Sequence, residues 1–179
     1  MGLFDKFKKK EPVKEEAVNN VPVKAAPVSE QYLVNRDRVL KFSNEDMGLN
    51  LSSDDQVYIA VFDIPENNVV SALQSRTLAL VFDANTHIYF ADGTALTDLE
   101  QNEEVMKAMM GLLISSHQVL GSMQLTDKTD FYQSSNVRAY LKTRKGIYFK
   151  ELTNQTKEEK FLTMMMQNVI SAIGKSLKK

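Results

Sequence analysis

The chain has 179 residues, a formal net charge of −1 and no cysteine. Its length and its 43% hydrophobic and 25% charged residues fit one globular domain with a tail. Without cysteine, the chain has no disulfides, thiolate metal ligands or cysteine nucleophiles. The charge near zero gives no global attraction to nucleic acid, so such binding would need a local basic patch.

The sequence shows neither a signal peptide nor a membrane span. No charged segment leads into an apolar one, and no apolar run approaches the roughly 18 residues that a span needs. We therefore expect a cytoplasmic protein.

Residues 1–10 have the pattern of an amphipathic helix, with an apolar and a basic side. These sides are formed by Leu3, Phe4 and Phe7, and by Lys6, Lys9 and Lys10. Burying one large apolar side chain gains about 1.5–3 kcal/mol, and each Lys near an anionic leaflet adds about 1 kcal/mol. Ordering the segment costs on the order of 10 kcal/mol. The pattern predicts weak, reversible contact with an anionic membrane at its inner face; the alternative is a disordered, solubilising terminus.

Residues 11–30 predict a disordered linker, because they hold three of the four prolines and no apolar periodicity. As a flexible chain, its ends would lie on the order of 25 Å apart. A single domain is then expected over residues 31–179. Its opening, residues 31–56, fits either short strands or one helical segment.

Strand signals begin at residue 57. Residues 57–64 predict a buried strand closed by Pro65, and residues 65–75 predict a short helix. Residues 77–82 and 87–91 flank a turn-type tetrapeptide and predict a hairpin. Both sides of this hairpin are apolar, which indicates a position inside a sheet covered on both faces.

Residues 137–143 and 147–152 predict a second hairpin. A three-residue loop with Gly146 in the left-handed conformation would place the apolar residues on one face. The opposite, basic and aromatic face would consist of Arg138, Tyr140, Lys142, Tyr148 and Lys150. Such a face could bind single-stranded nucleic acid by charge and stacking. The alternative is a solvated sheet face, and the chain's low net charge favours it, so nucleic acid is an unlikely partner.

Two capping-box patterns mark helices. The pattern at residues 97–100 predicts a helix to about Leu120, and the pattern at residues 156–159 predicts a C-terminal helix. In the latter, Met164, Met165 and Met166 point in successive directions, so at least one should lie off the core. An exposed one is a candidate for partner contact, whereas methionine at helical spacing otherwise fills cores.

An internal similarity supports the fold prediction. The run Ile88-Tyr89-Phe90, with Met109-Met110 after it, returns as Ile147-Tyr148-Phe149 with Met164-Met165. We predict an α+β domain with a mainly antiparallel sheet, helices packed on one face and a disordered N-terminal tail. The similarity predicts two pseudo-duplicated ββα units, near residues 77–121 and 136–178, around a pseudo-two-fold axis.

No catalytic motif is apparent, and no catalytic residue, metal site or cofactor is predicted. The two histidines, His87 and His117, have no recognised ligand spacing around them. The leading hypothesis is a non-enzymatic cytoplasmic interaction or regulatory module with a protein partner or self-association, weakly tethered to the membrane by its N-terminus. The alternatives are a small-ligand or single-stranded nucleic-acid binding domain, and then a hydrolytic enzyme using scattered carboxylates and histidine.

Overall fold

The computed structural model describes residues 28–68, 71–82 and 85–178. Over these residues it has the predicted α+β fold, with one seven-stranded antiparallel sheet and three α-helices. The helices are α1 (Glu30–Lys41), α2 (Glu103–Ser115) and α3 (Lys157–Ser176). The strands are β1 (Ile59–Asn68), β2 (Ser71–Val81), β3 (Asn85–Phe90), β4 (Ala95–Leu96), β5 (Gln124–Thr126), β6 (Val137–Thr143) and β7 (Gly146–Leu152).

Strand β1 lies at the centre of the sheet, whose order is β4-β3-β2-β1-β6-β7-β5. It pairs with β2 on one side and β6 on the other, so that Ile59 faces both Val81 and Lys142. The apolar run at the start of β1 is buried on both faces. Such a strand needs cover on both sides, and each face of the sheet carries its own core.

Helices α2 and α3 cover one face, as the sequence predicts for the helices. Each contributes an apolar stripe at helical spacing to a core shared with alternate residues of β1, β2, β3 and β6. The stripes are Val105, Met109, Leu112 and Leu113 of α2 and Leu162, Met166, Val169 and Ile173 of α3.

Helix α1 covers the opposite face, so the prediction that the helices pack on one face is wrong for this helix. Tyr32, Val39 and Leu40 pack against the other alternation set of the sheet, which includes Val61 and Tyr140. Ser29 caps the helix by accepting a hydrogen bond from the Tyr32 amide. Residues 29–30 thus belong to the fold, and the ambiguous opening of the domain contains a helix.

The short helix predicted for residues 65–75 is wrong. Strands β1 and β2 form one long hairpin across this region, with Pro65 opposite Ser75. Pairing of β1 with β6 ends at Asp63, so β6 does not pair with Pro65. The missing N–H of Pro65 therefore costs no hydrogen bond on that side. A proline is tolerated there as it is in an edge strand.

One of the two predicted capping boxes forms in part. Thr156 accepts a hydrogen bond from the Glu159 amide and begins α3 as predicted, but the Glu159 carboxylate accepts from the amides of Thr153 and Gln155 rather than from that of Thr156. Helix α2 begins later than predicted, because Asn102 caps it by accepting hydrogen bonds from two amides. Asp98 instead adopts a left-handed conformation (φ 57°), and Glu100 accepts a hydrogen bond from the Thr86 amide.

The pseudo-two-fold arrangement is not confirmed. Strands β2 and β6 are both antiparallel to β1 and flank it on opposite sides, while α2 and α3 lie on the same face. Superposing β2–β3–α2 on β6–β7–α3 would keep the strand direction and the face but exchange left and right. That operation is a reflection, which no rotation produces.

Candidate functional site

The predicted basic and aromatic face does not exist as one surface. Thr143 pairs with Gly146, so the β6–β7 loop has two residues rather than three. Every residue of β7 therefore lies on the face opposite to the predicted one. The five candidates divide between the α1 face, with Arg138, Tyr140 and Lys142, and the α2–α3 face, with Tyr148 and Lys150.

The two lysines of this set have internal partners. Lys142 Nζ donates to the carbonyl oxygens of Leu40 (2.7 Å) and Phe42 (2.6 Å), which closes the C-terminus of α1. Burial lowers the pKa of Lys142. Lys150 Nζ donates to the Ser122 carbonyl and lies 3.4 Å from Glu159 Oε1. Both ammonium groups therefore stabilise the fold rather than present charge to a nucleic acid.

Arg138 belongs to a buried ionic cluster, the Arg–Asp cluster, formed by Arg36, Asp63, Thr77 and Arg138. Arg36 Nε and Nη2 hold the Asp63 carboxylate at 2.8–3.0 Å, and Thr77 Oγ1 donates to Asp63 Oδ1 at 2.7 Å. Arg138 Nη2 lies 3.4 Å from Asp63 Oδ2. The cluster joins α1 to three neighbouring strands, because its members come from α1, β1, β2 and β6.

Aromatic rings surround this cluster. The Arg138 guanidinium carbon lies 4.6 Å from the Phe131 ring centre and 4.3 Å from that of Tyr132. The Arg36 guanidinium carbon lies 5.1 Å from the Tyr140 ring, and burial, followed by the charge of Asp63, raises the pKa of Tyr140. Rings in these positions stabilise buried guanidinium groups by cation–π attraction.

The Arg–Asp cluster is arranged to stabilise the fold rather than to act on a substrate. The Asp63 side chain has no exposed surface, and its oxygens already accept hydrogen bonds from Arg36 and Thr77. A general base must instead reach a substrate proton. Sequence reasoning missed the cluster because its residues are far apart in the chain and share no motif.

The two histidines lie in different parts of the fold. His87 lies in β3 on the α1 face, whereas His117 is exposed after α2 and its Nδ1 contacts the Ile114 carbonyl at 2.8 Å. Among the described residues, no three His, Asp or Glu side chains are grouped so that they could hold a metal ion. A hydrolytic centre of histidine and carboxylates gains no support from this arrangement.

The three consecutive methionines of α3 have different environments, as their spacing predicts. Met166 is 3% exposed in the core, and Met164 is 49% exposed. Met165 is half-buried, with its methyl group near Gly111 of α2. Met164 is therefore the one most open to a partner.

A groove of about 420 Å³ separates the outer surfaces of α2 and α3. Glu104 and Lys107 of α2 and Ser171 and Lys175 of α3 are among the residues that line it. Ile114 and Met164 do not line this cavity; they are exposed and, by helical spacing, lie further along the same sides of α2 and α3 than Lys107 and Ser171. We call the surface formed by the cavity and these two side chains the α2–α3 groove.

The other large apolar side chains that are exposed are Val34, Phe42, Leu125, Tyr132 and Leu177. Val34 and Phe42 line one surface pocket together with charged residues of α1. Exposed apolar residues are common on protein surfaces.

The predicted membrane contacts lie outside the described residues, because Leu3, Phe4, Lys6, Phe7, Lys9 and Lys10 all precede Val28. In the part of the chain that is described, no helix is long and apolar enough to cross a membrane.

Comparison with protein-family models, curated proteins and solved structures finds no significant match to this chain.

Proposed function

We propose that the chain is a non-enzymatic interaction or regulatory module of the cytoplasm, weakly tethered to the inner membrane face by residues 1–10. The observation that best supports a partner is the pair of exposed apolar side chains in the α2–α3 groove, Ile114 at 60% and Met164 at 49% exposure. The other large apolar residues of these helices are buried in the core or partly buried against it.

The groove suits a protein segment better than a small molecule. It is open to solvent along two helices, with apolar side chains at one end and the charged Glu104, Lys107 and Lys175 at the other. Covering each apolar side chain gains up to about 1.5–3 kcal/mol, and the charges orient the partner. A helix or extended segment with an apolar end and a polar end would match this surface.

The tether fits the same function. Seventeen residues separate Lys10 from Val28, where the described residues begin, and a flexible chain of that length spans on the order of 20–25 Å. The domain could therefore bind a partner while residues 1–10 contact lipid. Two weak contacts of this kind strengthen each other when both can form together.

Chemical crosslinking in intact cells tests the partner. We expect the full-length protein to form a discrete adduct that Ile114→Glu or Met164→Glu reduces severalfold. Gln31→Glu is the matched control, since it adds the same charge at an exposed position of α1. Equal adducts in all three variants would place the partner elsewhere and would contradict the role of the groove.

Co-sedimentation with vesicles tests the tether. The full-length protein should bind vesicles containing phosphatidylglycerol and not phosphatidylcholine alone, and binding should weaken as salt is raised. Replacing Leu3, Phe4 and Phe7 with serine should abolish it. Retained binding in that variant would exclude residues 1–10 as the membrane contact.

A further inference from the structure

A second cavity lies on the α1 face of the sheet, away from the α2–α3 groove. It has a volume of about 280 Å³ and lies between the C-terminal part of α1, the segment that follows α1, and strands β2 and β3. We call it the α1 cavity. Its walls are mainly apolar, with Phe42, Met47, Val81 and Tyr89 among them.

The size and walls of the α1 cavity suit one small apolar group. Val81 and Tyr89 are 5% and 8% exposed, whereas Phe42 is 40% exposed and lies at the opening. An apolar cavity of about 150 Å³ holds a benzene molecule in an engineered protein. The α1 cavity therefore has room for an aromatic ring with a short side chain, or for a short aliphatic chain.

His87 adds a specific polar contact to the wall. Its Nδ1 is buried and has no hydrogen-bond partner among the described residues, and its ring centre lies 5.9 Å from that of Tyr89. Burial lowers the pKa of His87, although the charges of Glu100 and Asp98 act in the opposite direction. A neutral imidazole can donate one hydrogen bond, and a buried ring nitrogen without a partner is costly.

Arg38 supplies positive charge at the same cavity. It lines the cavity from the exposed side of α1, and its charge acts on Tyr89 across the cavity. Because Arg38 and His87 both line the cavity, a carboxylate is favoured there over a neutral group. The Glu100 carboxylate accepts a hydrogen bond from the Thr86 amide, which holds the Glu100 side chain in place.

We infer that the α1 cavity binds a small aromatic or short-chain aliphatic carboxylate. Its apolar part lies against Val81 and Tyr89, and its carboxylate accepts hydrogen bonds from Arg38 and His87. This binding site is independent of the α2–α3 groove, because the two lie on opposite faces of the sheet.

Methyl NMR of the full-length protein with labelled methionines tests the inference, because Met47 lines the cavity and Met164 lies in the α2–α3 groove. Phenylacetate should shift the Met47 resonance in a saturable way and leave Met164 unchanged. Acetate lacks the apolar part and benzyl alcohol lacks the charge, so each should bind at least about tenfold more weakly.

Two variants and two controls complete the test. Arg38→Gln and His87→Gln should each weaken phenylacetate binding about tenfold, with spectra that confirm an intact fold. Arg144→Gln and His117→Gln change the same residue types at exposed sites outside the cavity and should have no effect. No Met47 shift, a shift shared by all methionines, or wild-type phenylacetate binding by both cavity variants would overturn the inference.

Discussion

The two faces of the sheet are covered in different ways. The α2–α3 face has a continuous apolar core, and its helices expose apolar side chains only on their outer surface. The α1 face has one helix, which is attached through the buried Arg–Asp cluster and leaves a cavity beside it. The comparison suggests that a protein partner would bind the outer surface of α2 and α3, whereas a small ligand would bind between α1 and the sheet.

The largest expected change in stability comes from removing the Asp63 carboxylate, which both buried arginines face. Asp63→Asn should lower the free energy of unfolding by about 3–5 kcal/mol, because it leaves buried guanidinium charge without its partner. Urea unfolding measures this. Asp54→Asn is the control, since it removes the partner of Arg144 in an exposed pair and should cost less than about 1 kcal/mol. If the two variants lost the same free energy of unfolding, the buried cluster would contribute no more to holding α1 than an exposed ion pair.

A core truncation on the opposite face should have the next largest effect. Leu112→Ala removes a side chain with no exposed surface and should cost about 3 kcal/mol through lost burial and the cavity that remains. Ile114→Ala, two residues along the same helix, should change stability by less than about 0.5 kcal/mol because its side chain is exposed. A large loss from Ile114→Ala would mean that this side chain already has a partner within the fold.

The start of α3 should respond to pH. Burial favours the neutral form of Glu159, but hydrogen bonds from Thr153, Gln155 and Lys150 outweigh it and lower the pKa from 4.5 to about 2. The stabilisation from Glu159 is thus present above pH 4.5 and is lost as the pH falls towards 2. Glu159→Gln should cost about 1–2 kcal/mol at neutral pH and little at pH 2.

Urea unfolding across this pH range checks the expectation. Glu158→Gln, at the exposed neighbouring position, should follow the wild-type pH profile. A Glu159→Gln deficit that is the same at pH 2 and pH 7 would assign the effect to packing rather than to charge.

The smallest expected effect concerns His87. Burial lowers the pKa of this histidine below its usual 6.5, so the folded state binds fewer protons than the unfolded state. Its contribution is complete above pH 6.5 and decreases as the pH falls below that value. His87→Gln should make stability less dependent on pH below 6.5, as measured by unfolding at pH 5 and pH 8. His117→Gln serves as the control, and an unchanged slope in His87→Gln would contradict the lowered pKa of His87.

Local signals explain what could be predicted from the sequence. Strands β6 and β7, helix α3 and its Thr156 cap follow from apolar periodicity and capping chemistry within a few residues. The β1–β2 hairpin was missed because Pro65 suggested a helix start, whereas a one-sided pairing tolerates it. The β6–β7 register was wrong because both faces are covered, so burial does not distinguish between registers.

The candidate surfaces depend on contacts that the sequence pattern does not contain. Arg36, Asp63 and Arg138 carry no mutual spacing signal, and the α1 cavity needs a helix to be placed over β3. Exposure of one residue in the Met164–Met166 run was predictable, because consecutive residues on a helix cannot all face the core.

Site-specific photo-crosslinking tests the proposed partner surface most directly. A photoreactive amino acid would replace Met164 or, as the control on the opposite face, Gln31 in the full-length protein in its own cells. A partner in the α2–α3 groove predicts one discrete adduct from position 164, none from position 31, and loss of the adduct when Ile114→Glu is added. No adduct at position 164, or equal adducts at both positions, would contradict an interaction module that uses this groove.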